Sequence, residues 1–158
     1  EKMDQYKNFF RHWDNVHDIT VKVMRLFPEN KKDFKPAEPM RTVMGLMKHI
    51  ATMEKTFLES CKKGFIEYED FSKYGKIDFP DLKSLIDYFE NTHKEVNSYY
   101  SQLGDKGMEK IIKTPWGDSP AFHQLSGAYD HEWHHRGQLY VYLRLLGIEP
   151  PFVFEYPQ

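Results

Sequence analysis

The sequence predicts an all-α fold, a four-helix bundle, on three observations. Apolar residues recur at helical spacing in four long runs, proline or glycine punctuates the gaps between them, and hardly any stretch alternates with the two-residue period of a strand. With 158 residues, 40% of them apolar, the chain can bury one hydrophobic core, and a single domain spanning residues 1–158 is expected.

The first run extends from Met3 to about Phe27, with Tyr6, Phe10, Trp13, Val21 and Met24 on one stripe and Pro28 ending it. The segment PENKKDFKPAEPM leads to a second run, in which Leu46, Ile50, Met53 and Phe57 form the stripe and Gly64 supplies a stop. A third run carries Leu82, Leu85, Ile86, Phe89, Val96 and Leu103, with Asp81 or Asp78 available as its cap and Gly104 as its end. The fourth opens on Ser119-Pro120, a cap followed by proline in the first helical position. It continues through Leu125, Tyr129, Leu139, Tyr142 and Leu146 to Gly147, with Pro150-Pro151 beyond. Residues 111 to 116 form the one segment suited to a short strand. The connection from Gly64 to Pro80 is long for a hairpin and suits a crossover that sets the second and third helices parallel.

Composition narrows the function. The formal net charge is −2 and the basic residues are scattered in short pairs such as Lys31-Lys32 and Lys62-Lys63. Nucleic-acid binding needs a dense positive face, so no nucleic-acid partner is expected. No stretch approaches the roughly 20 apolar residues that cross a bilayer, so no membrane partner is expected either. Cys61 is the only cysteine, which rules out a disulfide within the chain and makes the reducing cytoplasm the expected location. The N-terminal EKMDQYKNFFRHW mixes charges with aromatics and lacks the apolar run of a signal peptide.

The chemistry concentrates in DHEWHHRGQ, residues 130 to 138. Residues four apart on a helix are rotated by only about 40° and rise about 6 Å, so His131 and His135 project from one face as neighbours. That face also carries Ala128, Leu139 and Tyr142 and therefore points at the core. His49, in the middle of the second stripe between Leu46 and Met53, is the candidate third ligand. Three imidazoles buried together leave several ring nitrogens without partners, a penalty that a divalent cation removes. Spacing alone leaves metal and structural roles open for the pair at 131 and 135. His17 and His93 also lie on apolar stripes and are expected as hydrogen-bonded core or boundary residues, with His12, His123 and His134 at the surface. Cys61, with no base identified beside it, is expected to be an ordinary side chain.

His131, Glu132 and His135 also spell the H-E-x-x-H of zinc peptidases. The longer form of that motif needs glycine at 138 and histidine at 141, where this chain has Gln138 and Val141. Glu132 is turned about 100° from His131, so its reach towards metal-bound water depends on packing. The peptidase reading is the weaker one.

The run HEWHHRGQ, followed by YLRLLGIEPP, resembles the signature of the DinB family of small metalloenzymes, whose superfamily also includes YfiT-like bacillithiol transferases and mycothiol-dependent enzymes. RTVMGLMKHIATMEKTFL, with a histidine amid apolar residues followed by Glu54, and TPWGDSPAFHQL extend the resemblance from about Met40 to Pro151. It implies a DinB-like bundle in an up-down-down-up arrangement, homodimers, and a divalent metal held by His49, His131 and His135, the same triad that helical phase selects. It also implies a small-molecule substrate and a metal-dependent enzyme that transfers a low-molecular-weight thiol to an electrophile, with metal-assisted hydrolysis or isomerisation as neighbouring chemistries. A non-enzymatic, metal-stabilised module for binding or stress response is the alternative. Three imidazoles suit zinc, nickel, iron or copper. Gly137, inside the fourth helix, is expected either to let another group approach closely or simply to be tolerated there. Arg136 is expected to snorkel or pair with a carboxylate, and Gln138 to act as a donor behind the ligands.

Overall fold

The computed structural model describes residues 5–156. Four long helices, α1 (Lys7–Arg25), α2 (Val43–Lys63), α4 (Leu82–Glu109) and α5 (Ala121–Leu145), are accompanied by the short α3 (Asp70–Lys73) and by a two-stranded ribbon, β1 (Ile111–Ile112) and β2 (Ser119–Pro120). Met3, the expected start of the first helix, lies outside the described residues.

Most boundaries have a local cause. The Thr42 hydroxyl accepts the Gly45 N–H at 3.0 Å to open α2, and Gly64, at φ 89°, closes it in the left-handed conformation. The Asp81 carboxylate accepts the Ser84 N–H at 2.7 Å to open α4. Gly104 interrupts α4 where the sequence placed its end, with φ 62° and ψ −162°, after which one more turn continues to Glu109. The start of α5 departs from expectation: Pro120 is the cap residue and Ser119 is not a cap. The chain arrives extended, pairing Ile112 with Ser119 and Ile111 with Pro120 in an antiparallel ribbon, and the Ser119 hydroxyl accepts from Gln124 Nε2 at 2.9 Å. The strand expected within 111 to 116 occupies its first two residues.

Helix directions follow from which residues meet. Glu54 meets His93 and the Cys61 carbonyl meets the Tyr99 hydroxyl, so α2 and α4 run parallel. Phe10 stacks on Tyr100 while Arg25 pairs with Glu90, so α1 and α4 run antiparallel. Tyr6 packs on Phe122 and Arg136 reaches the Val16 carbonyl, so α1 and α5 run parallel. His49 faces His131 and Cys61 faces Ala121, so α2 and α5 run antiparallel. The result is the up-down-down-up bundle, and the long crossover between α2 and α4 carries α3. Among the described residues no helix is long and apolar enough to cross a membrane.

The core falls into two apolar clusters. One gathers Met24, Leu46, Ile50, Leu85, Phe89, Leu139 and Leu143, and the other Phe10, Trp13, Leu58, Val96, Met108 and Leu125. Between them on the four long helices lies a buried polar layer: His17 and Thr20 on α1, Glu54 on α2, His93 on α4, and Glu132 and Arg136 on α5. Polar groups so placed must find partners or pay for desolvation, and this layer shapes both sites described below.

Candidate metal centre

The antiparallel packing of α2 and α5 brings His49 opposite His131 and His135. His49 Nε2 and His131 Nε2 stand 2.9 Å apart. Ring centroids are separated by 4.5 Å (His49 to His131), 4.7 Å (His49 to His135) and 4.3 Å (His131 to His135). One nitrogen from each ring lies within 4.8 Å of the other two. His49 and His131 are half-buried and His135 is buried, so the cluster sits at the seam of two helices with access to solvent.

The protonation states suit a cation. Burial, followed by the charge of Arg41 and of His135, pushes the His49 imidazole down to about 4. Burial and the neighbouring His135 and His49 push His131 down to about 3. His135 is lowered mainly by burial. Its Nδ1 lies 2.8 Å from Gln138 Oε1, and an amide oxygen can only accept, so the proton is on Nδ1 and the lone pair on Nε2. Gln138 therefore acts as acceptor, not the expected donor. Two nitrogens 2.9 Å apart can share only one proton between them, so three neutral rings present more lone pairs than protons here. This donor set fits a borderline divalent cation.

Glu132 does not join the three rings. It is 2% exposed, and its oxygens accept from Trp13 Nε1 at 3.1 Å and Thr20 Oγ1 at 2.6 Å, both on α1. Burial and the charge of Glu54 hold this carboxyl well above the usual carboxylate range. The peptidase reading thereby loses its base. Arg136 neither snorkels nor takes a carboxylate in a hydrogen bond: it is 1% exposed, lies 4.0 Å over the Trp133 ring, and donates from Nη1 to the Val16 carbonyl at 3.2 Å. Gly137 is exposed and an added Cβ would meet nothing within 4 Å, so it is tolerated rather than needed for close approach. His123 and His134 are exposed as expected, whereas His12 is half-buried against Tyr129 and Tyr156. Cys61 is buried, and desolvation raises its thiol to about 12, which removes it as a nucleophile.

His17 and His93 do lie in the core, but whereas His93 is hydrogen-bonded as expected, His17 Nδ1 is buried without a hydrogen-bond partner. His93 Nδ1 is 2.9 Å from Glu54 Oε1 and its Nε2 is 2.8 Å from Asp14 Oδ1. Burial opposes charge on His93, but Glu54 and Asp14 outweigh it and hold the imidazole up at about 10. His17 stacks on His93 at 4.0 Å with the rings 13° from parallel, and burial followed by the His93 charge pushes it down to about 2.

Sequence reasoning missed Arg41 and Asp14. Arg41 is exposed just before the cap of α2, its carbonyl is held by the Tyr142 hydroxyl at 2.8 Å, and its charge bears on all three clustered imidazoles. Neither residue lies on an apolar stripe, so periodicity offers no signal for them.

The model of the DinB family matches residues 3–157. The chain belongs to the DinB family. Among DinB relatives, the uncharacterized protein YjoA of Bacillus subtilis (strain 168) is 27% identical over 158 residues, covering 95% of this chain and 97% of YjoA. The crystal structure of YjoA, a DinB-like protein, superposes with a TM-score of 0.78 at 25% identity, covering 96% of this chain and 100% of that one. A DinB-like protein from Bacillus cereus ATCC 10987 gives 0.77 at 22% identity, covering 95% and 99%. The mycothiol-dependent maleylpyruvate isomerase shares the fold at a TM-score of 0.66 with 11% identity, over 82% of this chain and 58% of the isomerase.

Proposed function

We propose that this DinB-family protein is a divalent-metal-dependent enzyme, a single domain over residues 1–158, that transfers a low-molecular-weight thiol to a small electrophilic substrate. Metal-assisted hydrolysis is the neighbouring chemistry. The observation that carries the reading is the convergence of His49, His131 and His135 at a solvent-accessible seam, with a nitrogen of each within 4.8 Å of the others. Closed structural sites use four protein ligands, whereas three with an open side belong to chemistry.

His49, His131 and His135 would hold the cation. Bound there, zinc, nickel or iron would supply Lewis acidity, lowering the pKa of a thiol or water brought to it. Gln138 keeps the His135 proton on Nδ1 and so presents Nε2. Arg41 places a positive charge beside the rings and favours substrates or thiols that carry a carboxylate. The name of the mycothiol-dependent isomerase, a structural neighbour of the same fold, supports thiol chemistry as the class.

A reducing cytoplasm suits a substrate thiol, and Cys61, buried within the core, offers no competing thiolate. Val141 and Leu145, four residues apart on α5 and 53% and 58% exposed, support association as a homodimer. The test is consumption of small thiols with a panel of electrophiles, with metal added or removed, in the intact protein and in His49→Ala. Turnover that needs both the metal and His49 is expected. Turnover that survives complete metal removal contradicts the reading, and no turnover with any thiol or metal leaves a metal-stabilised binding module in its place.

A further inference from the structure

The polar layer in the middle of the bundle is the least economical part of the core. His17 Nδ1 and Glu54 Oε2 are buried and have no hydrogen-bond partner. Their residues are 5% and 2% exposed, and His93, with which they cluster, is 4% exposed. Native cores rarely leave such atoms unpaired without a ligand, ion or water to meet them. Here two such atoms belong to residues of one cluster, on α1 and α2, beside an imidazole from α4.

The structure assigns a second cation site, distinct from the three-histidine centre, to His17, Glu54 and His93, and its chemistry selects a small borderline divalent ion of the zinc class. One ligand atom from each residue lies within 4.8 Å of the others. His93 is already arranged as a metal-ligating histidine is: Asp14 Oδ1 accepts from Nε2 at 2.8 Å and leaves Nδ1 facing Glu54. Asp14 is itself oriented by Asn97 Nδ2, which donates to the same Oδ1 at 2.7 Å. His17 Nδ1 is buried with no hydrogen-bond partner to hold a proton on it, so that nitrogen is free to turn a lone pair to an ion.

Two carboxylates, the buried Glu54 and Asp14 at the edge of the layer, flank His93 at its two ring nitrogens. Binding exchanges the proton held between His93 Nδ1 and Glu54 Oε1 for a divalent ion and releases that proton to solvent. Two imidazoles and one carboxylate are a donor set for zinc and its neighbours rather than for calcium or magnesium. The ligands come from three helices and are shut away from solvent, so the ion's role is to tie α1, α2 and α4 together.

Zinc stoichiometry tests this directly. Protein reconstituted with Zn(II) and freed of excess by gel filtration is assayed for zinc per chain. The variants are His17→Phe, which keeps the stacked ring and removes its nitrogens, and His49→Ala/His131→Ala/His135→Ala, with helical content checked by circular dichroism. Two equivalents are expected in the unaltered chain, one in the triple variant, and one in His17→Phe. A loss of one equivalent on His17→Phe supports the second site even if the triple variant shows that the three histidines bind nothing, so the two claims fail separately. Where His17→Phe does not fold, Glu54→Gln gives the same reading. A zinc content that neither substitution changes overturns the site.

Discussion

Gln138 offers a sharp test of how the three-histidine centre is built. Its Oε1 lies 2.8 Å from His135 Nδ1 and fixes the tautomer that leaves the lone pair on Nε2. Replacing it with leucine leaves Nδ1–H without its acceptor in a side chain only 8% exposed, where water is a poor substitute. Partners of this kind are worth about 10–100-fold in metal affinity, equivalent to about 1.4–2.8 kcal/mol. A competition titration of Zn(II) against a chromophoric chelator, in the His17→Phe background so that one site is read, measures the change. Gln138→Leu should weaken binding within that range, and Gln138→Glu, which can accept the same bond, should retain it. Equal affinity in the unaltered and leucine proteins would refute the reasoning, as would equal losses in both variants.

Further outcomes are expected elsewhere in the molecule. Trp13→Phe removes the 3.1 Å bond from Nε1 to the buried Glu132 carboxyl and should cost about 2 kcal/mol in urea unfolding. Gly137→Ala, at an exposed mid-helix position with nothing within 4 Å of the added Cβ, should stabilise by about 0.5–1 kcal/mol in the same experiment. Cys61, with its thiol raised to about 12, should stay unreactive towards an aromatic disulfide reagent at pH 8 until the protein unfolds. The unfolded thiol ionises near its ordinary 9.0 while the folded one stays protonated, so this group should lower stability as pH rises from about 9 to 12. Zn(II) at a hundredfold excess over Kd should stabilise the native state by about 2.7 kcal/mol per site, or about 5–11 °C in Tm for a chain of this size. Chelator should reverse that gain, and calorimetry should show it reduced in His49→Ala.

The legible parts of this molecule were those whose signal is local. His131 and His135 share a face because of helical phase alone, and Gly64, Asp81 and Gly147 mark helix ends because their backbone or side-chain chemistry acts within one turn. His49 could be paired with them because a lone imidazole inside an apolar stripe needs a partner across the core. The parallel packing of α2 and α4 was legible from the length of their connection.

What sequence could not reveal is long-range. Asp14 binds His93 across 79 residues of chain, and Glu132 binds Thr20 across 112, so nothing near either residue announces the partner. Glu132 sat at an ambiguous phase, and packing turned it towards α1 rather than the histidines. For Gly137 both close approach and simple tolerance stood open, because its cost in a helix was weighed without knowing that its face is exposed, and tolerance is what the structure shows. Ser119 misled because a ribbon only two residues wide keeps the chain extended one residue longer than the cap rule expects.

The central claim is that His49, His131 and His135 converge on one cation. X-ray absorption fine structure on His17→Phe protein carrying one equivalent of Zn(II) tests it most directly. Three imidazole shells at about 2.0 Å, falling to two in His49→Ala, are the expected result. A spectrum with fewer than three imidazoles, or one that His49→Ala leaves unchanged, would contradict the account.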